Sequence, residues 1–150
     1  MKSLSVKLGV ILVGLAILGY GEVWGENWKL YYKGENFSYY YDTESVKYPS
    51  KGIVRLQMKM VSINNKGRDE LIQQRKQLNL SIEGYENFTH TISLCEINCK
   101  KKMIGLISFY EYDKKGGILF SNIFPANQVQ WESIPPGGMF ELLYKVVCSK

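Results

Sequence analysis

Residues 52–63, GIVRLQMKMVSI, alternate more regularly than any other stretch of the chain. Val54, Leu56, Met58 and Met60 are separated by Arg55, Gln57 and Lys59. A period of two with one apolar side predicts a strand lying on a core and wet on its other face. WKLYY (28–32) and FSYYYD (37–42) are aromatic runs divided by the turn-rich KGEN, and they read as a strand pair. DTESVKYPSKG (42–52) carries the Asp, Ser, Pro and Gly of a loop.

The pattern changes in NNKGRDELIQQRKQLNL (64–80). Asn64 or Asn65 can cap a helix, with Asp69 and Glu70 near its positive end. Leu71 and Leu78 recur on one side, which predicts a helix from about Gly67 to Leu78. SIEGYENF reads as a loop, HTISLCEINC as extended and MIGLISFYEYD as a strand. KKGG (114–117) is a hairpin turn whose glycines accept positive φ, and ILFSNIF is the returning strand, stopped by Pro125. Met139, Leu142, Leu143, Val146 and Val147 follow helical spacing after WESIPPGG. The expected fold is α+β: an antiparallel, meander-like sheet with a mid-chain helix and a C-terminal amphipathic helix.

The first 25 residues do not fit that domain. Lys2 and Lys7 precede an uncharged apolar run, Leu8–Leu18, and small residues follow at Gly19, Gly21 and Gly25. This is the three-part pattern of a secretory signal peptide. The run is shorter than the roughly 20 residues that span a membrane, so no stable insertion is expected once it is removed. Cleavage is expected after Gly25, with Gly21 as second choice, leaving one domain over residues 26–150. No cysteine lies near either cut, so a lipid-anchored N-terminus is not expected. The chain has 19 basic and 14 acidic residues; losing Lys2, Lys7 and Glu22 leaves 17 and 13, a mildly basic +4. Export places the product in the periplasm, on the cell surface or in the medium.

Export also bears on the three cysteines, Cys95, Cys99 and Cys148. Four residues of extended chain put Cys95 and Cys99 about 13 Å apart, beyond the roughly 7 Å between Cα atoms that a disulfide bridges. Zinc needs about four ligands at recognisable spacings, and a redox pair uses C-x-x-C; neither is present. An oxidising compartment favours a structural bridge from one of the two to Cys148.

Other candidates for chemistry are thin. Asp42-Thr43-Glu44-Ser45 has too few oxygens for a calcium loop and reads as a turn bonded to its own backbone. His90 is the lone histidine and points away from Cys95 and Cys99 on an ideal strand. No nucleophile elbow, P-loop or dinucleotide fingerprint occurs, so no catalytic residue, metal or cofactor is expected. Lys100–Lys102 and Lys114–Lys115 flank one strand, about 40 Å apart, so they do not join into a nucleic-acid surface. The tyrosines carry more interest. Tyr39 and Tyr41 share one side of a strand and Tyr40 takes the other, so some rings belong at the surface. Tyr40, Tyr31 and Tyr32 form the candidate binding face; half-buried cross-strand packing is the competing reading.

Five pieces recur in order: an early Trp in WKLYY, then YYYDTESV, IVRLQMKMV, INCKKKMIGLISFYEYDKKGGI and WESIPPGGMFELLYKVVC. Together they resemble the surface-adhesin protein E family of small exported bacterial proteins. The resemblance implies that Cys99 pairs with Cys148 and that Cys95 is extra, either free or bonded to another chain. It also implies a non-catalytic protein-binding module for host matrix or plasma proteins such as vitronectin, laminin or plasminogen. The alternative is a periplasmic accessory protein that binds another envelope component. A second copy of the chain is a further candidate partner.

Overall fold

The computed structural model describes residues 27–149; the expected leader and its cleavage site lie outside the described residues. Eight strands and two helices follow in the order β1 (Trp28–Lys33), β2 (Phe37–Asp42), β3 (Lys47–Ser50), β4 (Ile53–Ser62), α1 (Asn65–Gln77), β5 (Phe88–Asn98), β6 (Met103–Asp113), β7 (Ile118–Ile123), β8 (Trp131–Ser133) and α2 (Met139–Cys148). They form one antiparallel sheet in the order β1-β2-β4-β5-β6-β7. β3 pairs with β4, and β8 pairs with the start of β6.

Residues directly opposite across antiparallel strands point to the same side. Tyr41 faces Met58, Met58 faces Ser93, Leu56 faces Cys95 and Val54 faces Ile97. That side is the core. Leu143 and Val147 of α2 close over it, with Ile134 beside them. Leu56, Cys95, Ile97 and Leu143 have no exposed surface.

α1 lies on the same side, toward the other end of the strands. Asn64 caps it, its side chain accepting from the Gly67 amide at 3.0 Å. A Cβ on Gly67 would sit 2.6 Å from the Asn36 carbonyl oxygen, so only glycine lets the helix approach β2 this closely. Arg75 reaches inward, pairs with Glu111 at 3.2 Å and donates to the Ser81 carbonyl at 2.7 Å. Tyr85 donates to the same Glu111 oxygen, and its ring stacks under the Arg75 guanidinium, 4.2 Å from centroid. Arg75, Tyr85 and Glu111 are all buried. Both charges are thus desolvated together, which tolerates burial because each has a partner.

α2 is held at both ends. Cys148 is bonded to Cys99, with Cα atoms 5.6 Å apart. Lys102 binds Glu141 at 2.6 Å, and Tyr144 donates to the Cys99 carbonyl at 3.0 Å.

The structure changes several expectations. β3 arises from a segment read as loop, and β8 from WES, to which no element was assigned. Their residues are all exposed, so no buried side marks them. α1 spans Asn65–Gln77 rather than Gly67–Leu78. Cys99 does not continue the strand: β5 ends at Asn98, whose side chain accepts from the amides of Lys100 and Lys101 and turns the chain. That turn is what lets Cys99 reach α2.

Candidate binding face

The side of the sheet opposite the helices carries Leu30 against Tyr40, Tyr40 against Lys59, Lys59 against Ile92 and Ile92 against Tyr110. The next rows add Gln57, Leu94 and Ser108 at one end and His90 with Tyr112 at the other. Neither α1 nor α2 packs there. Trp28, Ile92, Leu94, Tyr110 and Tyr112 surround a shallow cavity of ≈390 Å³, with Gln57 and Ser108 as its polar points.

The electrostatics of this face are simple. Lys59 Nζ stands 5.5 Å from the centre of the Trp28 ring. A cation over an aromatic face is attracted by the ring quadrupole, and it stays available to an acidic partner. His90 stacks on Tyr112 at 4.8 Å, and its Nδ1 lies 2.8 Å from the Thr89 hydroxyl. Burial and the neighbouring Lys59 push its pKa down, which favours the neutral ring at neutral pH. Glu96 is paired with Arg55 at 3.6 Å. Asp42 is buried and spends one carboxylate oxygen on the Glu44 amide at 3.0 Å. The centre of the face is therefore aromatic and aliphatic, with a cation and no carboxylate.

The predicted site residues divide. Tyr40 is on this open face, half-buried among its neighbours. Tyr31 and Tyr32 are not, which corrects their grouping with Tyr40. The ladder slips between Leu30 and Tyr32, so Tyr31 is an extra residue and the alternation reverses after it. Tyr31 packs on the core side, 6.4 and 6.2 Å from the Tyr39 and Tyr41 rings, and its hydroxyl donates to Met58 Sδ. Burial raises the pKa of its phenol well above the ordinary value. Tyr32 leans on Tyr39 at 5.7 Å.

Cys99 and Cys148 are joined, as the resemblance implies. Cys95 is unbonded and has no exposed surface. Burial, with Glu96 adding to it, pushes its thiol up to about 12. A neutral, enclosed thiol is a poor nucleophile and does not reach a second chain while the fold is intact. Asp42–Ser45 is a turn: Ser45 Oγ donates to the Asp42 carbonyl at 2.7 Å and accepts from the Gln57 amide at 2.8 Å. The two lysine groups sit beyond opposite ends of β6. Among the described residues, no three His, Cys, Asp or Glu side chains converge as a metal site, and no helix is long and apolar enough to cross a membrane.

The buried Arg75–Glu111–Tyr85 group went unread in the sequence, since Arg75 stands in the polar run QQRKQ. The wider aromatic face was also missed, although Tyr110 and Tyr112 are two apart on one strand and must share a side.

The family model for surface-adhesin protein E matches residues 28–149. No curated protein matches the chain. Solved structures of Haemophilus influenzae protein E are similar. Crystal form II is 16% identical with a TM-score of 0.52, over 83% of this chain and 89% of that one. The selenomethionine form is 15% identical with a TM-score of 0.54, over 83% and 88%. Protein E from non-typeable Haemophilus influenzae is 14% identical with a TM-score of 0.52, over 83% and 77%. At these identities the likeness is one of fold.

Proposed function

The chain belongs to the surface-adhesin protein E family, and from that premise we propose that it is an exported, non-catalytic module that binds a protein through the open face of its sheet. The observation that carries this reading is the face itself. Trp28, Tyr40, Tyr110 and Tyr112 surround aliphatic residues on a side that neither helix covers. Tyr and Trp are the residues that dominate protein contacts, because they offer large rigid area at low entropic cost. Lys59 places a cation near the middle of the face, so the matching surface is apolar with a carboxylate near its centre.

Residues 1–25 serve as the leader in this reading, and the mature N-terminus is Glu26. Host matrix and plasma proteins are the first candidates for partner. A periplasmic accessory role is the second reading, favoured by the absence of a cysteine near the expected cut.

The experiment is a pulldown with mature protein and with Trp28→Ala/Tyr40→Ala/Tyr110→Ala. One set uses vitronectin, laminin and plasminogen; the other uses the envelope fraction. Retention by matrix proteins, lost in the variant, supports adhesion. Retention of one envelope protein, lost in the variant, supports the accessory role. Equal retention by both forms overturns the open face as the contact. Mass in solution at several concentrations separates self-association from either.

A further inference from the structure

The helix-bearing side of the sheet is not closed throughout. Between α2 and the chain at 124–132 the strands are bare, and a cavity of ≈450 Å³ opens there. Met58, Cys95 and Leu106 come from three adjacent strands and form its floor. Phe124, which follows β7, and Phe140, on α2, stand at its sides; Glu132 of β8 stands at its mouth. The ladder carries an extra residue beside this floor: Cys95 pairs with Leu106 while Leu94 pairs with Ser108. Leu106 remains 37% exposed on a side where its equivalents on β4 and β5 are buried.

The size falls in the range of small-ligand sites, about 300–1,000 Å³. The lining chooses the ligand. Among the described residues Glu132 is the one charged residue of its lining, with no Lys, Arg or His. Among the described residues Glu132 has no ion-pair partner. Aromatic faces and a thioether are soft, polarisable surfaces that favour a diffuse cation over a hydrated anion.

We propose that this cavity binds a small organic cation with an apolar body, of the quaternary-ammonium class. Its hydrocarbon part rests on Leu106 and Met58, and its charge lies toward Glu132 and the two phenylalanine rings. The site is separate from the open face, being on the other side of the sheet.

The test is a titration of the full chain with benzyltrimethylammonium, followed by the ¹³C-methyl resonance of Met58. Its neutral tert-butyl isostere and benzenesulfonate serve as comparisons. The expected result is a saturable shift with the cation alone. Glu132→Gln, a change at an exposed position, weakens binding about threefold to fivefold, the scale of one partly exposed ion pair. Leu106→Trp fills the floor and removes the response. An unsaturable response, an equal response to the isostere, or an unchanged affinity in Glu132→Gln overturns the proposal. Because Glu132→Gln leaves the floor intact, the test stands even where Leu106→Trp does not fold.

Discussion

The two sides of this sheet are built from the same strands and differ in what happens to their aromatic residues. Tyr41 and Tyr40 are chain neighbours on β2. Tyr41 enters the core that α2 closes, with 7% of its surface exposed. Tyr40 joins Lys59, Ile92 and Tyr110 on a side that neither α1 nor α2 covers. On one side, aromatic area is used to hold the protein together. On the other, similar area is left facing solvent, where a monomer gains little from it. The helix-bearing side also collects the bridge, the buried ion pair and the α2 tethers. Stability is concentrated on one face, which leaves the other free to be spent on a partner.

That division predicts unequal responses to change. The largest belongs to the bridge. Cys99→Ser/Cys148→Ser releases a loop with a sequence separation of 49. The expected loss is about 4 kcal/mol in the chain-entropy model, read from urea unfolding. Binding by the protein that remains folded should persist; its disappearance would show that the two sides are not independent. Tyr41→Ala comes next, at about 3 kcal/mol, since it empties a buried aromatic site.

Tyr40→Ala should cost at most about 1 kcal/mol of stability, yet about 2 kcal/mol of partner binding where Tyr40 is an anchor. Calorimetric melting and binding on the same two variants decide the matter. Equal destabilisation by Tyr40→Ala and Tyr41→Ala would collapse the distinction between the faces. The smallest effect is at acid pH. Hydrogen bonds from Lys102 and then Lys145 hold the Glu141 carboxyl at about 2, against an ordinary 4.5. Its folded value is depressed, so its contribution is complete above pH 4.5 and is lost as pH falls toward 2. Glu141→Gln should flatten that part of the stability curve and leave binding by the open face unchanged.

What the sequence disclosed follows from where burial repeats. β4 was legible because apolar residues fall at every second position, with Val54 and Leu56 fully buried, and α2 because its buried positions recur at helical spacing. The strand character of KYPS and WES was not, because every residue in β3 and β8 is exposed and backbone pairing alone makes them strands. Alternation separated Tyr40 from Tyr39 and Tyr41, and it is the pairing with Lys59 that puts it on the side away from the helices. Tyr31, the neighbour of Leu30, faces the core by simple alternation, and Tyr32 was carried there by a single extra residue in the β1–β2 ladder. Such a bulge reverses every later side chain and leaves no trace in hydrophobicity. The Cys99–Cys148 pairing was accessible through the family pattern; spacing alone left Cys95 as a rival. Geometry explains the choice: Cys95 remains within β5 beneath α2, while the Asn98 turn carries Cys99 out to the helix end.

The bridge has a mechanical consequence. Force applied between Asn27 and Cys148 passes from Cys148 straight into Cys99. The 49-residue separation between them, which includes β6, β7, β8 and α2, is covalently short-circuited. Those elements bear no end-to-end tension while the bond lasts. Only the chain before Cys99 can unravel, and roughly 160–175 Å of contour stays hidden at 3.3–3.6 Å per residue. Single-molecule extension before and after reduction should differ by about that length. The open face straddles this boundary: Tyr40, Lys59 and Ile92 lie in the extensible part, and Tyr110 and Tyr112 in the shielded loop. Overload therefore unravels β1–β5, while the strands inside the loop remain chemically tied to one another.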